Sequence, residues 1–407
     1  MGYYRPMATR KRSRGKRTRR SRGAGGSFNP EKAIDKGLDL HREGRLIEAA
    51  RLYRKVLEHE PDHADALNLL GLMALADGFV ADAIDLHQRA VDSAPDSAAL
   101  RANLGTALMA RERGEAAEEA LKKAMELGFE GVQAPFNLGL LYMDQGRQDD
   151  ALAVLRRVAE IDPDLPEAGF LLAALSGEHR EHAPPEYIVG LFDSYAGHFD
   201  EHLLEELEYR IPALSRALVD RELGEQVARA SAQTGGWRVV DIGCGTGLVG
   251  AGFRDMARYL AGCDLSPRMV AMAGERGVYD DLAVEDLHGY LARQGEGGAG
   301  EGVELADLIV AADVFIYVGA LEETARSMAA ALRPGGYALF SIEMASADVG
   351  SAGFELRTSG RFAHSPEYIR EMAGGHGFEI AAVEETTIRR EAQEAIPGQL
   401  VLWRKAG

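Results

Sequence analysis

Apolar positions in the first part of the chain recur with helical spacing and are broken at short intervals by glycine and polar turns. The segment ALNLLGLMALADG followed by VADAIDLHQRAVDSAP is typical. Apolar residues at i, i+3, i+4 and i+7 share one helical face, so each such stretch reads as a pair of short amphipathic helices. The pairs repeat. Gly37, Gly71, Gly105 and Gly139 stand 34 residues apart, and Ala49, Ala83, Ala117 and Ala151 follow in phase. Pro61, Pro95 and Pro163 recur near the unit ends, with Phe129 where the third unit would have proline. Gly44, Gly78 and Gly146 form a further series, with Glu112 at the third position and Gly114 two residues later. Gly and Ala let helices approach closely, and Pro stops a helix because it has no N–H. One hairpin of this size cannot bury its own apolar face, so the units must stack into a solenoid.

Further along, the period changes. WRVVDI, RYLAGCDL, ADLIVAADVFIYV and YALFSIE are short β-type runs separated by helical segments, and FEIAAVEET and QLVLWRK follow at the end. Strands alternating with helices predict a mostly parallel sheet covered on both faces. The last two runs are expected to close it as an antiparallel pair, giving seven strands. ADLIVAADVFIYV is read as one buried strand reaching Asp313. Between the two patterns lies SGEHREHAPP, a polar linker, then an aromatic amphipathic helix pair from 187 to 218, in which Phe192, Tyr195 and Phe199 share a face. That stripe suits either core or a lid over a ligand.

Charge and cysteine content narrow the classes. The formal net charge is −18, but residues 1–27 carry ten Lys or Arg and no acid, leaving 36 basic against 64 acidic side chains elsewhere, a net of −28. An acidic body disfavours broad contact with nucleic acid or anionic membrane. The basic stretch is expected to be disordered, and three readings stand for it: a solvated tail or a start at Met7, an anchor to nucleic acid or an acidic partner, or docking on the chain's own acidic body. Two cysteines, Cys244 and Cys263, make no disulfide framework and fit a reducing, cytoplasmic compartment. They read as packed thiols. His179 and His182 lack Cys partners, so no metal is expected.

The sharpest chemical signal is the turn after WRVVDI, where GCGTG leads into LVGAGFRD. A strand, a glycine-rich turn and a helix let backbone N–H groups approach a ligand closely. Asp264, ending the next strand, is placed to accept hydrogen bonds from ribose hydroxyls. Gly245, Gly247 and Gly250 formally satisfy GxGxxG, which alone would also suit a nicotinamide dinucleotide. Against that, the acid Asp241 directly precedes the glycines, awkward beside a pyrophosphate and useful beside an ammonium.

The 34-residue period with this Gly–Ala–Pro phasing resembles the tetratricopeptide repeat family, in four units over 30–165, with PEAGFLLAALSG as a further helix capping the stack. The pattern Asp241-x-Gly243-x-Gly245-x-Gly247 resembles the first motif of class I S-adenosylmethionine-dependent methyltransferases. Together they imply an α-solenoid followed by a Rossmann-like seven-stranded α/β domain. The expected divisions are a tail at 1–29, the solenoid at 30–177, linker and lid helices at 178–215, and the catalytic domain at 216–407. The resemblance implies S-adenosylmethionine as cofactor, held by Asp241, Gly243, Gly245, Gly247, Asp264, Leu265, Asp286, Leu287 and Asp313. It also implies a concave groove for a protein or peptide, lined by residues such as Asn68, Leu72, Thr106, Met109 and Phe136. The Lys/Asn clamp that members use on a chaperone's terminal carboxylate is missing.

The acceptor is narrowed by what the motifs lack. Ala312-Asp313-Val314-Phe315 is not the Asn/Asp-Pro-Pro-aromatic motif of exocyclic-amine methylation, no Pro-Cys nucleophile occurs, and no lysine lies between Lys123 and Lys405. A small molecule or a protein is the expected acceptor. Groups on its side are Tyr195, His198, Asp313, Tyr317, Arg361, His364 and Tyr368. His364, Asp313 and His198 are the catalytic candidates, needed only if the acceptor must lose a proton. Two other functions fit the same residues: a scaffold that binds cofactor without turnover, and a nicotinamide-dependent oxidoreductase.

Overall fold

The computed structural model describes residues 28–111, 113–195, 200, 209–296, 304–391 and 394–407. The basic stretch, His198 and Phe199 lie outside them, as does the side chain of Tyr195. The chain divides into two compact units, Met1–Asp162 and Pro163–Gly407. No helix among the described residues is long and apolar enough to cross a membrane.

Among the described residues the first unit is eight helices in four hairpins: α1 (Pro30–Arg42) with α2 (Leu46–His59), α3 (Ala64–Ala76) with α4 (Val80–Ser93), α5 (Ala98–Met109) with α6 (Gly114–Glu126), and α7 (Gln133–Asp144) with α8 (Gln148–Ile161). The glycine period has a direct packing cause. A Cβ on Gly71, Gly105 or Gly139 would stand 2.8, 2.6 and 2.8 Å from His87, Leu121 and Leu155, and one on Gly37 would collide with Tyr53. Those four partners are themselves 34 residues apart, so one knob from each second helix fills the notch left by glycine on its first helix. The in-phase alanines are fully buried. In the third unit Gly128, at φ +82°, ends the helix where the other units use proline.

The second unit opens with α9 (Pro166–Ser176) and α10 (Pro185–Tyr195), then a long helix α11 (Ile211–Thr234). The helix expected to cap the solenoid, α9, packs Phe170 against Tyr187 and Phe362 at ring-centroid distances of 5.1 and 6.2 Å. The polar linker exposes its side chains from Ser176 to His182, buries Ala183, and is anchored through its backbone. Glu181 O accepts from Gly319 and Ala320 N–H, and Ala183 N–H donates to Tyr317 O.

The sheet follows: β1 (Trp237–Ile242), α12 (Leu248–Phe253), β2 (Ala257–Asp264), α13 (Pro267–Glu275), β3 (Asp281–Val284), α14 (Leu287–Glu296), β4 (Ala306–Ala311), α15 (Glu322–Ala331) and β5 (Leu332–Glu343). A small hairpin of β6 (Phe354–Leu356) and β7 (Phe362–His364) leads through α16 (Pro366–Gly375) to β8 (Phe378–Glu391) and β9 (Glu394–Lys405). The seven strands lie in the order β3-β2-β1-β4-β5-β9-β8, with β9 antiparallel to both its neighbours. β1 and β4 are buried along their whole length, which explains their near-continuous apolar sequence.

Two expectations are corrected. The fourth strand stops at Ala311 and does not reach Asp313, which sits at φ +56°, the single non-glycine residue with positive φ among the described residues. The chain turns there into a short 3-10 helix, Phe315–Tyr317. The last two strands are also longer than their apolar cores, so the terminal hairpin runs well past the edge expected at 386.

Candidate active site

β1 and β4 are adjacent while their sequence neighbours lie on opposite sides, so a crevice opens at the carboxyl ends of these strands. The glycine turn lies there. Gly243, Gly245 and Gly247 take φ of +63°, +53° and +86°, values at which a side chain is strained. Gly243 and Gly245 are half-buried, while Gly247 is covered.

Asp264, at the end of β2, is half-buried. Its Oδ2 accepts from Gly245 N–H at 2.9 Å and its Oδ1 from Ser266 N–H at 2.9 Å. Burial pushes its carboxyl up from the usual range, against the pull of those backbone donors. Each oxygen has a further lone pair, which suits a vicinal diol. Leu265 beside it is half-buried. Asp286 is exposed and Leu287 half-buried at the start of α14, where Asp286 Oδ1 accepts from His288 and Gly289 N–H, both at 3.0 Å.

Asp241 is placed differently. It is 1% exposed and its Oδ2 accepts from the Tyr279 hydroxyl at 2.6 Å, with a further backbone hydrogen bond from Gly250. Burial pushes this carboxyl up to about 7. Tyr279 is a residue the sequence pattern did not single out, yet it organises the turn. A Cβ on Gly247 or Gly262 would stand 2.9 Å from its ring, and one on Gly250 would collide with its hydroxyl. The third glycine of the formal GxGxxG is thus required by Tyr279. The only signal available in sequence was a tyrosine following a Gly-Val turn just before β3.

Across the crevice, Asp313 is tied twice to Ser341: its N–H donates to Ser341 Oγ at 2.7 Å, and Ser341 Oγ donates to its Oδ1 at 2.9 Å. Arg389 Nη1 lies 3.6 Å from its Oδ2. Burial nevertheless holds the Asp313 carboxyl above its usual range, the nearby Arg389 pulling the other way. Arg389 also pairs with Glu343, a residue 2% exposed, which Arg357 reaches at 2.9 Å. Tyr317 is buried, hydrogen-bonded to Arg361, and touched edge-on by Phe192 of α10 at 5.6 Å between centroids.

His364 does not face this crevice as a free base. It is fully buried, its Nε2 lies 3.0 Å from the carbonyls of Val318 and Gly319, and burial pushes its pKa down to about 4. Two acceptors on Nε2 require the proton there, so the ring is a neutral pin between the β6–β7 hairpin and the turn after β4. Tyr368 donates no proton to the crevice either, since its hydroxyl accepts from Leu321 N–H at 2.7 Å and lies 3.2 Å from Glu322. His198 lies outside the described residues.

Comparison with known proteins matches residues 213–383 to a methyltransferase domain family and residues 34–98 and 102–166 to a tetratricopeptide repeat family. Among curated proteins none matches. Similar solved structures include the N-methyltransferase NodS from Bradyrhizobium japonicum WM9 with S-adenosyl-L-homocysteine, at 20% identity over 46% of this chain and 87% of that one, TM-score 0.32. Magnesium protoporphyrin IX methyltransferase from Synechocystis PCC 6803 is 18% identical over 47% and 83%, TM-score 0.33. The tetratricopeptide protein YrrB is 23% identical over 43% and 89%, TM-score 0.32. S-adenosylmethionine fits the residues present: a turn of positive-φ glycines open to the crevice, and a carboxylate at the end of β2 with spare acceptor capacity. The chain therefore carries tetratricopeptide-type repeats over residues 34–98 and 102–166, followed by a methyltransferase-type domain over residues 213–383 on a seven-stranded, Rossmann-like sheet.

Proposed function

We propose that the protein methylates a small-molecule or protein acceptor, and that its repeats hold that acceptor or a partner. The observation that carries the reading is the pairing of Asp264 with the glycine turn through Gly245 N–H, at the crevice between β1 and β4. When bound, S-adenosylmethionine supplies an electrophilic methyl group on a sulfonium. Asp264 and Leu265 would hold the ribose end, Asp286 and Leu287 the base, and Gly243 and Gly245 would offer backbone close to the chain of the ligand. Asp241 acts mainly from beneath, setting the turn through Tyr279 and adding negative potential below it. Asp313, with its raised pKa and fixed by Ser341, is the group placed to take a proton from an acceptor that must lose one. Most of the rate is expected from alignment, because an in-line displacement needs acceptor and methyl held in one geometry.

Calorimetric titration with S-adenosylhomocysteine and with NAD tests the ligand class. Binding of the sulfur ligand, weakened about tenfold or more in Asp264→Ala through loss of charge-assisted hydrogen bonds, is expected. Binding of NAD in its place would support the oxidoreductase reading and end this one. Labelled methyl incorporated from a lysate by wild type and not by Asp264→Ala separates an enzyme from a scaffold.

A further inference from the structure

Tyr209 is a buried polar group whose hydroxyl is unanswered. It stands two residues before α11, where the fully buried Ile211 opens the helix and pins the chain. Its ring belongs to the core cluster that holds Val239 of β1 and Leu308 and Val310 of β4. The residue is 7% exposed, yet among the described residues its hydroxyl has no hydrogen-bond partner. Leaving a buried hydroxyl unpaired costs free energy, which a bound acceptor would offset.

Its electrostatic neighbours fix where that hydroxyl lies. Asp313 and Arg389 act on it from across the crevice, and Asp241 from beneath the glycine turn. β1 and β4 are adjacent, with Asp241 level with Val310. A group that feels both acids therefore lies between the ends of those two strands. Burial first, and then the two acids, hold the phenol well above its usual range. It keeps its proton and can donate it in a hydrogen bond.

The strand order gives this position its chemistry. The sheet runs β3-β2-β1-β4, Asp286 follows β3 and Asp264 ends β2. A ligand with its base at Asp286 and its ribose at Asp264 brings its amino-acid end to β1 and β4, beside Tyr209. That end carries an ammonium and a carboxylate. The negative potential of Asp241 and Asp313 suits the ammonium and opposes the carboxylate, which needs a donor. Arg389 is paired with Glu343, whereas the Tyr209 hydroxyl is neutral and protonated.

We propose that the Tyr209 hydroxyl donates a hydrogen bond to the carboxylate at the amino-acid end of the cofactor. This rests on the S-adenosylmethionine reading above and assigns a residue to the end of the ligand farthest from its base.

The full-length wild type and Tyr209→Phe, which keeps the ring and loses only the hydroxyl, are titrated calorimetrically with three ligands. These are S-adenosylhomocysteine, its decarboxylated analogue, and methylthioadenosine, which carries no amino-acid end. Tyr209→Phe is expected to weaken S-adenosylhomocysteine roughly tenfold, as loss of a hydrogen bond to a charged group does, and to leave the other two unchanged. Tyr209→Met, also without the hydroxyl, serves if the phenylalanine variant does not fold. Equal affinity of wild type and variant for S-adenosylhomocysteine would overturn the proposal. So would a matching loss for the decarboxylated analogue, which would place the effect of the hydroxyl away from the carboxylate. A wild type that binds none of the three would instead strike the S-adenosylmethionine reading itself, and this assignment with it.

Discussion

Asp241 shows how one buried carboxyl can couple the site to stability. In the unfolded chain it releases its proton near pH 4. In the native protein burial delays that to about 7, despite the Tyr279 hydroxyl. Between those values the native state binds the extra proton, so this group lowers stability as pH rises through the window. Asn cannot ionise yet still accepts from Tyr279. Asp241→Asn is therefore expected to come close to the ligand-free wild type at pH 4 and to exceed it by about 2–4 kcal/mol at pH 8, measured by urea denaturation at both pH values. A wild type more stable than the variant at pH 8 would mean that the carboxylate is ionised and paired. Much of this residue's position was legible: an acid ending a strand before a glycine turn. Its partner was not, because Tyr279 lies 38 residues away and reaches the turn only through the β2–β3 crossover.

At the scale of the element, the repeat contains a weak link that its own periodicity exposes. Tyr53, His87, Leu121 and Leu155 occupy one phase, each filling the notch of a glycine. His87 is the misfit: fully buried, with a hydrogen-bond partner for neither ring nitrogen, its pKa pushed down to about 4 by burial. The unfolded chain takes up a proton near pH 6.5 and the native one not until about 4, so stability falls as pH drops through that range. His87→Leu, the residue of the next two units, is expected to stabilise the solenoid by about 1–3 kcal/mol at pH 7.5 and by more at pH 5, read from chemical denaturation followed by circular dichroism. A destabilised variant would show that the ring is held by packing that leucine cannot copy. The helices themselves were readable from sequence because their spacing is local and repeated. The β6–β7 hairpin and the turn at Asp313 were not, because tertiary contacts set them: Ser341 fixes Asp313 from β5, and His364 pins the hairpin to the turn from 45 residues away.

For the whole molecule, each unit has a cluster of core residues of its own, one drawn from Ala33, Ile34, Tyr53 and their neighbours, the other from Trp237, Val239, Leu308 and Leu400. A chain of two compact units need not unfold in a single all-or-none transition, and that offers a way to tell which unit a change acts on. A ligand that binds only the native form of one unit stabilises that unit by RT ln(1 + [L]/Kd), about 2.7 kcal/mol at a hundredfold excess over Kd. The residues proposed to hold S-adenosylhomocysteine lie between 209 and 313, all in the second unit, whereas His87 lies in the first. In a calorimetric scan of the full-length protein, S-adenosylhomocysteine is expected to raise one transition and His87→Leu the other. A single transition raised by both would show that the units unfold together. The repeats and the methyltransferase would then be one cooperative body, and a partner bound to the solenoid would stabilise the cofactor site through that shared equilibrium.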